Sequence, residues 1–182
     1  AGEQGMLGFD GMAGRLLQID FANRCVEVSD AEAAATRLVG WSMVQGRLRF
    51  GSMLMARGEI QGVGVNVLVD TGSDMSLCNA AFRAALASVR AEWVQYQEGR
   101  AFTAGRPLYA RDSIWTPTLR LGRVRVRSVT AYQGEYHIFA LWGLQDQPTL
   151  LLGMDVIRAA GGLAIDYRRN AIYFRTPPHG AS

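Results

Sequence analysis

The sequence predicts an all-β protein with one or two short helices. Three observations lead to this prediction: a β-branched run at Val63–Val69, a series of shorter apolar strands bounded by turn residues, and a two-strand unit that occurs near both ends of the chain. With 182 residues, 49% hydrophobic and 19% charged, the chain has an ordinary globular composition and is long enough for one sizeable core or two small lobes.

The repeated unit covers residues 5–28 and residues 150–174. In each copy an apolar residue and a glycine precede an Ala- and Gly-rich segment, and two strands then follow, joined by ANR or RRN as a β-hairpin. The matching residues are Leu7, Gly8, Asp10, Ile19, Asp20 and Phe21 in the first copy and Leu152, Gly153, Asp155, Ile165, Asp166 and Tyr167 in the second. The chain therefore opens on what resembles the end of one unit and continues with a second unit that has the same ending.

This repeat divides the chain. Residues 1–28 are predicted to be the C-terminal hairpin remnant of a preceding lobe, 29–50 a linker, 51–176 a complete lobe and 177–182 a tail. Within 29–50, Ser29 or Asp30 is also suited to cap a short helix, and the sequence does not decide between helix and linker.

Strands are predicted next at 48–55 and 58–60, followed by a turn at Gln61 and Gly62. Val63–Val69 follows as a strand buried on both faces, and it ends at Asp70. The period then changes to that of a helix, for which Asn79 is a suitable N-cap.

The second half of the complete lobe continues as strands. Residues 98–115 are predicted to form a hairpin with an exposed tip at Thr103, Ala104, Gly105 and Arg106. Strands at 115–121 and 124–132 flank Gly122, and Thr149–Leu152 is the last apolar strand before the second copy of the repeat.

An apolar strand entering Asp-Thr-Gly-Ser, a flap-like hairpin about thirty residues later and an apolar-apolar-Gly strand near the end together resemble a retropepsin-like or pepsin-like aspartic protease lobe of bacterial type. The resemblance covers 54–174, and 5–28 resembles the tail of a preceding lobe. It implies a closed, barrel-like β-fold and an aspartic endopeptidase that acts on a peptide or protein substrate without a metal or another cofactor.

The resemblance also assigns roles. Asp70, Thr71 and Gly72 correspond to the catalytic turn: the aspartate reacts, the threonine hydroxyl anchors the paired loops, and the glycine lets the backbones approach. Ser73 is expected to donate to the outer carboxylate oxygen, Asp74 supports the turn, and Gly153 lies beneath it. Thr103, Ala104, Gly105 and Arg106 correspond to the flap.

The chemistry requires two carboxylates, one to take a proton from water and one to give a proton to the carbonyl oxygen. Two such groups a few ångströms apart cannot both ionise, so they titrate as a pair. The chain has one Asp-Thr-Gly. The second aspartate is therefore expected from a second chain in a homodimer or from a missing N-terminal lobe.

Other aspartates are not predicted to supply this partner. Asp10 and Asp155 belong to the repeated ending, and Asp20 and Asp166 are expected to flank hairpin turns. Retroviral enzymes have an arginine after the glycine of the final strand, where this chain has Met154, so the pairing of Asp74 with that arginine does not carry over.

Alternative functions receive less support. An inactive lobe that serves as a peptide-binding or assembly module, with a strand added at a sheet edge, is the second interpretation. The alternating arginines of 123–127 are predicted to form a solvated strand face without nucleic acid, and GVGVNV lacks the order of a nucleotide-binding fingerprint.

The remaining composition restricts the setting. Cys25 and Cys78 are predicted to be buried free thiols, without metal-ligand spacing. His137 and His179 are expected to be surface or packed residues. No apolar run reaches the length of about 18 residues that a membrane span needs. The chain is expected to be cytoplasmic, or periplasmic or secreted after removal of an upstream part.

Overall fold

The computed structural model describes residues 11–34, 38–49, 53–103, 106–134 and 136–175, with backbone alone at 33–34 and 96–111. Its strands are β1 Arg15–Asp20, β2 Cys25–Asp30, β3 Ser42–Arg49, β4 Met53–Ile60, β5 Val63–Val69, β6 Leu77–Cys78, β7 Val94–Thr103, β8 Arg106–Leu121, β9 Val124–Gln133, β10 Thr149–Leu152, β11 Gly162–Asp166 and β12 Ala171–Phe174. Its helices are α1 Ala31–Ala34, α2 Ala80–Ala87, α3 His137–Leu141 and α4 Met154–Ala159, with a 3-10 turn at Ala91–Trp93.

Six of these strands close into a barrel in the order β4, β5, β10, β6, β9, β8. The closure is made where β4 pairs again with β8, at Glu59 and Arg120. Inward side chains alternate along the strands and form the main core, which includes Ile60, Val65, Val67, Leu119, Leu121 and Leu150. The predicted all-β lobe with a barrel-like closure is confirmed, and it contains more short helices than the one or two that were predicted.

The repeated hairpins form the other part of the sheet. β1 pairs with β2 and β11, and β11 pairs with β12, so both copies of the repeat lie side by side in one antiparallel sheet. β3 then pairs with β12 on one side and with β4 on the other, which joins this sheet to the barrel. Two clusters cover its faces: the barrel core on one and Leu16, Ala31, Leu38 and Ala164 on the other.

The linker predicted at 29–50 needs correction, because most of its described part has regular structure. α1 follows β2 directly, and the Asp30 carboxylate accepts a hydrogen bond of 2.9 Å from the Glu32 N–H, as a capping residue does. β3 occupies Ser42–Arg49 and is an interior strand of the sheet. The segment thus covers one face of the hairpin sheet and connects it to the barrel.

The predicted helix after Asn79 is confirmed as α2, and Asn79 has a second role. Its Oδ1 accepts from the Phe82 N–H at 2.8 Å and from the Thr149 N–H at 3.2 Å. Its Nδ2 donates to the carbonyl oxygens of Leu144 and Gln147, at 2.7 and 2.8 Å. One buried amide therefore caps α2 and holds the chain that leads into β10.

The predictions for the arginines, cysteines and histidines have mixed outcomes. Arg125 and Arg127 on β9 and Arg123 in the turn before it are exposed, while Val124 is buried, as the alternation predicted. Both cysteines are free, but Cys25 is exposed because it lies on β2, the edge strand of the sheet. Cys78 is buried, and burial raises the pKa of its thiol. His137 is exposed at the start of α3, and His179 lies outside the described residues.

No helix among the described residues is long and apolar enough to span a membrane.

Candidate active site

The site begins where two buried parallel strands end together. β5 and β10 pair in register up to Val69 and Leu152, and the paired residues of both strands are buried. The pairing extends one step further, because the Asp70 N–H donates to the Leu152 carbonyl oxygen at 3.0 Å. Asp70 is thus the first residue of a loop that leaves the carboxyl end of a rigid strand pair.

The Asp70 carboxylate is half-buried, and burial raises its pKa above the ordinary value. The Gly72 N–H opposes this shift by donating to Oδ1 at 2.9 Å. A Cβ atom at residue 72 would lie 3.2 Å from the same oxygen, which is a tight contact. Glycine therefore lets the backbone fold closely over the carboxylate that it hydrogen-bonds.

The rest of the loop lies against the start of α4. The Met154 N–H donates to the Ser73 carbonyl oxygen at 2.9 Å, and the Asp155 N–H donates to that of Asp74 at 3.1 Å. Ser73, predicted to donate to the carboxylate, is fully buried and directs its hydroxyl to the Met75 carbonyl oxygen at 2.8 Å. Asp74 is exposed.

Gly153 lies directly beneath the loop. A Cβ atom at this position would collide with the Met75 carbonyl group and lie 2.9 Å from the Ser76 nitrogen. The close approach leaves room for glycine alone, and it fixes the height of the loop above β10.

Two polar residues of the site were missed in the sequence. The Gly153 N–H donates to the Ser76 hydroxyl oxygen at 3.0 Å, and that hydroxyl donates to the Asp155 carboxylate at 2.8 Å. Asp155 had a signal, since the repeat places an aspartate after the glycine in both copies. Ser76 had none, because its partners lie 77 and 79 residues away.

The predicted site residues fall into two groups. Asp70, Thr71, Gly72, Ser73 and Asp74 form one loop over Gly153, and Thr71 and Gly72 are exposed at its tip. The predicted flap is the hairpin of β7 and β8, whose last described pair is Thr103 with Arg106. Ala104 and Gly105 lie outside the described residues.

The other aspartates of the repeat belong to turns, as predicted. Asp20 accepts from the Asn23 N–H at 3.1 Å, and Asp166 accepts from the Arg169 N–H at 2.8 Å. Asp20 also contacts the Arg175 guanidinium at 2.8 Å, and these hydrogen bonds lower its pKa to about 2. In the described part of the chain, no three His, Cys, Asp or Glu side chains form a group suited to a metal ion.

One family of known proteins matches this part of the chain. The family model described as aspartyl protease matches residues 56–156, which is more than half of the chain and includes both Asp70 and Gly153. The chain belongs to the aspartyl protease family. This membership supports a protease-type function.

Solved structures that are similar to the chain include a bacterial protease and a soybean globulin. A retropepsin-like aspartic protease from Rickettsia conorii is 16% identical, over 74% of this chain and 90% of that chain, with a TM-score of 0.44. Basic 7S globulin from soybean is 11% identical, over 92% of this chain and 52% of that chain, with a TM-score of 0.43. No curated protein matches the chain.

Proposed function

We propose that this aspartyl protease family member is an aspartic endopeptidase in which Asp70 works with a second aspartate from a partner lobe. The observation that carries the proposal is the loop that begins at Asp70. Its carboxylate is half-buried at the end of two rigid strands, has a raised pKa, and receives the Gly72 N–H. A carboxyl group prepared in this way holds its proton more readily than an exposed one.

A second carboxylate beside Asp70 would raise the pKa further, because two neighbouring negative charges repel. The pair then shares one proton and titrates as a unit. The ionised member takes a proton from a water molecule, whose oxygen attacks the peptide carbonyl carbon, while the protonated member gives its proton to the carbonyl oxygen. Cleavage of the C–N bond follows, with a proton passing to the leaving nitrogen.

The other predicted residues have roles around this pair. Thr71 and Gly72 are exposed at the loop tip, where the loop of a partner lobe would meet them, and the Thr71 hydroxyl anchors the two loops to each other. Ser73 and Gly153 keep the loop in place from below. The hairpin tip at Thr103–Arg106 acts as the flap over an extended peptide substrate.

Cleavage of an unstructured protein substrate at acidic pH tests the proposal. The assay compares the wild-type protein with Asp70→Asn, using both the 182-residue chain and the gene product in which it occurs. The substitution keeps the shape and removes the titrating group, so we expect cleavage to fall to background, and pepstatin to inhibit the wild type. Asp146→Asn, at an exposed loop carboxylate, is the matched control and should retain full activity.

Two results would refute the mechanism: cleavage that survives Asp70→Asn, or cleavage that pepstatin leaves unchanged. A wild-type protein that binds peptides but cleaves none would instead favour the binding or assembly module.

A further inference from the structure

The two copies of the repeat pair with each other about a local two-fold axis. In the antiparallel register of β1 and β11, Gln18 lies opposite Ala164, and the repeat makes these two residues equivalent. On either side the pairs exchange roles: Leu17 lies opposite Ile165, and Ile19 opposite Leu163. Gln18 thus faces Ala164, its equivalent in the other copy, at the centre of the pairing. Pairing of equivalent residues across a two-fold axis is typical of an isologous contact.

The equivalence extends through both hairpins. Asp20 pairs with Cys25 across the first turn as Asp166 pairs with Ala171 across the second. Arg24 and Asn170 have left-handed backbones, with φ of 52° and 54°. The first hairpin is therefore built like the second, and the axis relates β2 to β12.

The inner faces of these equivalent hairpins differ in what covers them. Ile172 and Phe174 on β12 are each 1% exposed, because the catalytic barrel packs on them. Their counterparts on β2, Val26 and Val28, are 65% and 42% exposed. Both sets lie on the same face of the sheet, since Val26 is opposite Ile19 and Val28 is opposite Leu17.

We propose that a second barrel lobe packs on Val26 and Val28, in the position that the two-fold axis through Gln18 and Ala164 generates from the catalytic barrel. The inference rests on the proposed function, because this lobe would supply the second aspartate loop. The contact between this lobe and the first hairpin would then be equivalent to the contact that the barrel makes with the second hairpin.

The occupant that fits is a lobe encoded immediately before Ala1 and not a second copy of residues 1–182. A second copy brings a barrel whose matching face is already covered by its own β11 and β12. The barrel that packs on Val26 and Val28 must instead have no terminal hairpin other than β1 and β2. Residues 7–10 repeat 152–155, so the chain ahead of β1 has the sequence that ends such a barrel.

The coding sequence upstream of Ala1 gives the first test. We expect an in-frame lobe of similar length with its own Asp-Thr-Gly. A start codon directly before Ala1, or an upstream sequence without strand patterning and that motif, would overturn the proposal.

Cysteine labelling gives the second test. In a Cys25→Ser background, Val28→Cys is alkylated in the 182-residue chain and in the longer gene product, and the modified peptide is located by mass spectrometry. We expect labelling at position 28 to be about tenfold slower or more in the longer protein, because the lobe covers it. Arg125→Cys, an exposed position on β9, is the control and should react equally in both.

Equal labelling of Val28→Cys in both proteins would overturn the proposal. A dimer of the 182-residue chain would also overturn the proposal if it protected position 28 from labelling and dissociated on substitution Val28→Asp. A second copy of the chain would then be the occupant. Labelling requires no catalysis, so it fails or succeeds separately from the cleavage test of Asp70→Asn.

Discussion

The Ser76 hydroxyl donates a hydrogen bond of 2.8 Å to the Asp155 carboxylate, although 79 residues separate the two in the chain. The same hydroxyl oxygen accepts the Gly153 N–H at 3.0 Å. One buried side chain therefore joins the end of the Asp70 loop to β10 and to the first turn of α4. An acidic group in the first turn of a helix is also favourably placed relative to the helix dipole.

Substitution of Ser76 by alanine should destabilise the lobe by about 1–3 kcal/mol, because the buried Gly153 N–H loses its acceptor. The free energy of unfolding from urea titration measures this. Ser88→Ala is the matched control: its hydroxyl bonds the Ala85 carbonyl oxygen at an exposed helix end, and its loss should cost less than about 0.5 kcal/mol. Similar losses for both variants would contradict the role of Ser76.

Gly153→Ala should destabilise the lobe by about 1–3 kcal/mol, since the new methyl group collides with the Met75 carbonyl and the loop must move. Cleavage should fall as well, because Asp70 moves with the loop. Gly64→Ala is the control, as a Cβ there meets nothing within 4 Å. If thermal unfolding and cleavage assays show no difference between the two variants, the close packing under the loop is not required for stability or cleavage.

Asp20→Asn should lower stability at pH 7 by about 1–3 kcal/mol, because the carboxylate loses charge-assisted hydrogen bonds to Arg175 and Asn23. The folded pKa of Asp20 is lowered from 3.8 to about 2. Its contribution is therefore complete above pH 3.8 and is lost as the pH falls towards 2. Urea titrations across this range should show the wild type and Asp20→Asn converging; Asp146→Asn should match the wild type throughout.

Asp70 should have the opposite pH dependence. Burial raises its pKa, so the folded 182-residue chain binds this proton more tightly than the unfolded chain does, and ionisation costs stability as the pH rises above 3.8. Asp70→Asn removes that cost and should raise the melting temperature at pH 7, with no difference below pH 3.8. A variant that is less stable than the wild type at pH 7 would show that the ionised carboxylate stabilises the loop.

The parts that the sequence predicted well depend on local signals. The strand into Asp70, the Asn79 cap and both repeat hairpins each follow from residues within a few positions of one another. The position of Gly153 beneath the loop was also predicted, but through the resemblance, because no local pattern links residue 153 to residue 75.

The parts that were missed depend on contacts across the chain. β3 contains alternating polar residues and an arginine at each of 47 and 49, and it becomes a strand because β12 and β4 flank it. α3 and α4 have 5 and 6 residues, too few for a clear helical period. Whether Cys25 is buried depends on what lies beyond the edge strand, which composition does not reveal.

The ion pairs of the two repeat turns imply an order of assembly. Asp166 pairs with Arg169 three residues away, so the second hairpin closes with contacts of its own. Asp20 pairs with Arg175, 155 residues further along the chain. During synthesis the Asp20 carboxylate therefore has only its local hydrogen bonds to Asn23 until Arg175 has been made, and the Asp20–Arg175 pair is one of the long-range contacts that slow folding.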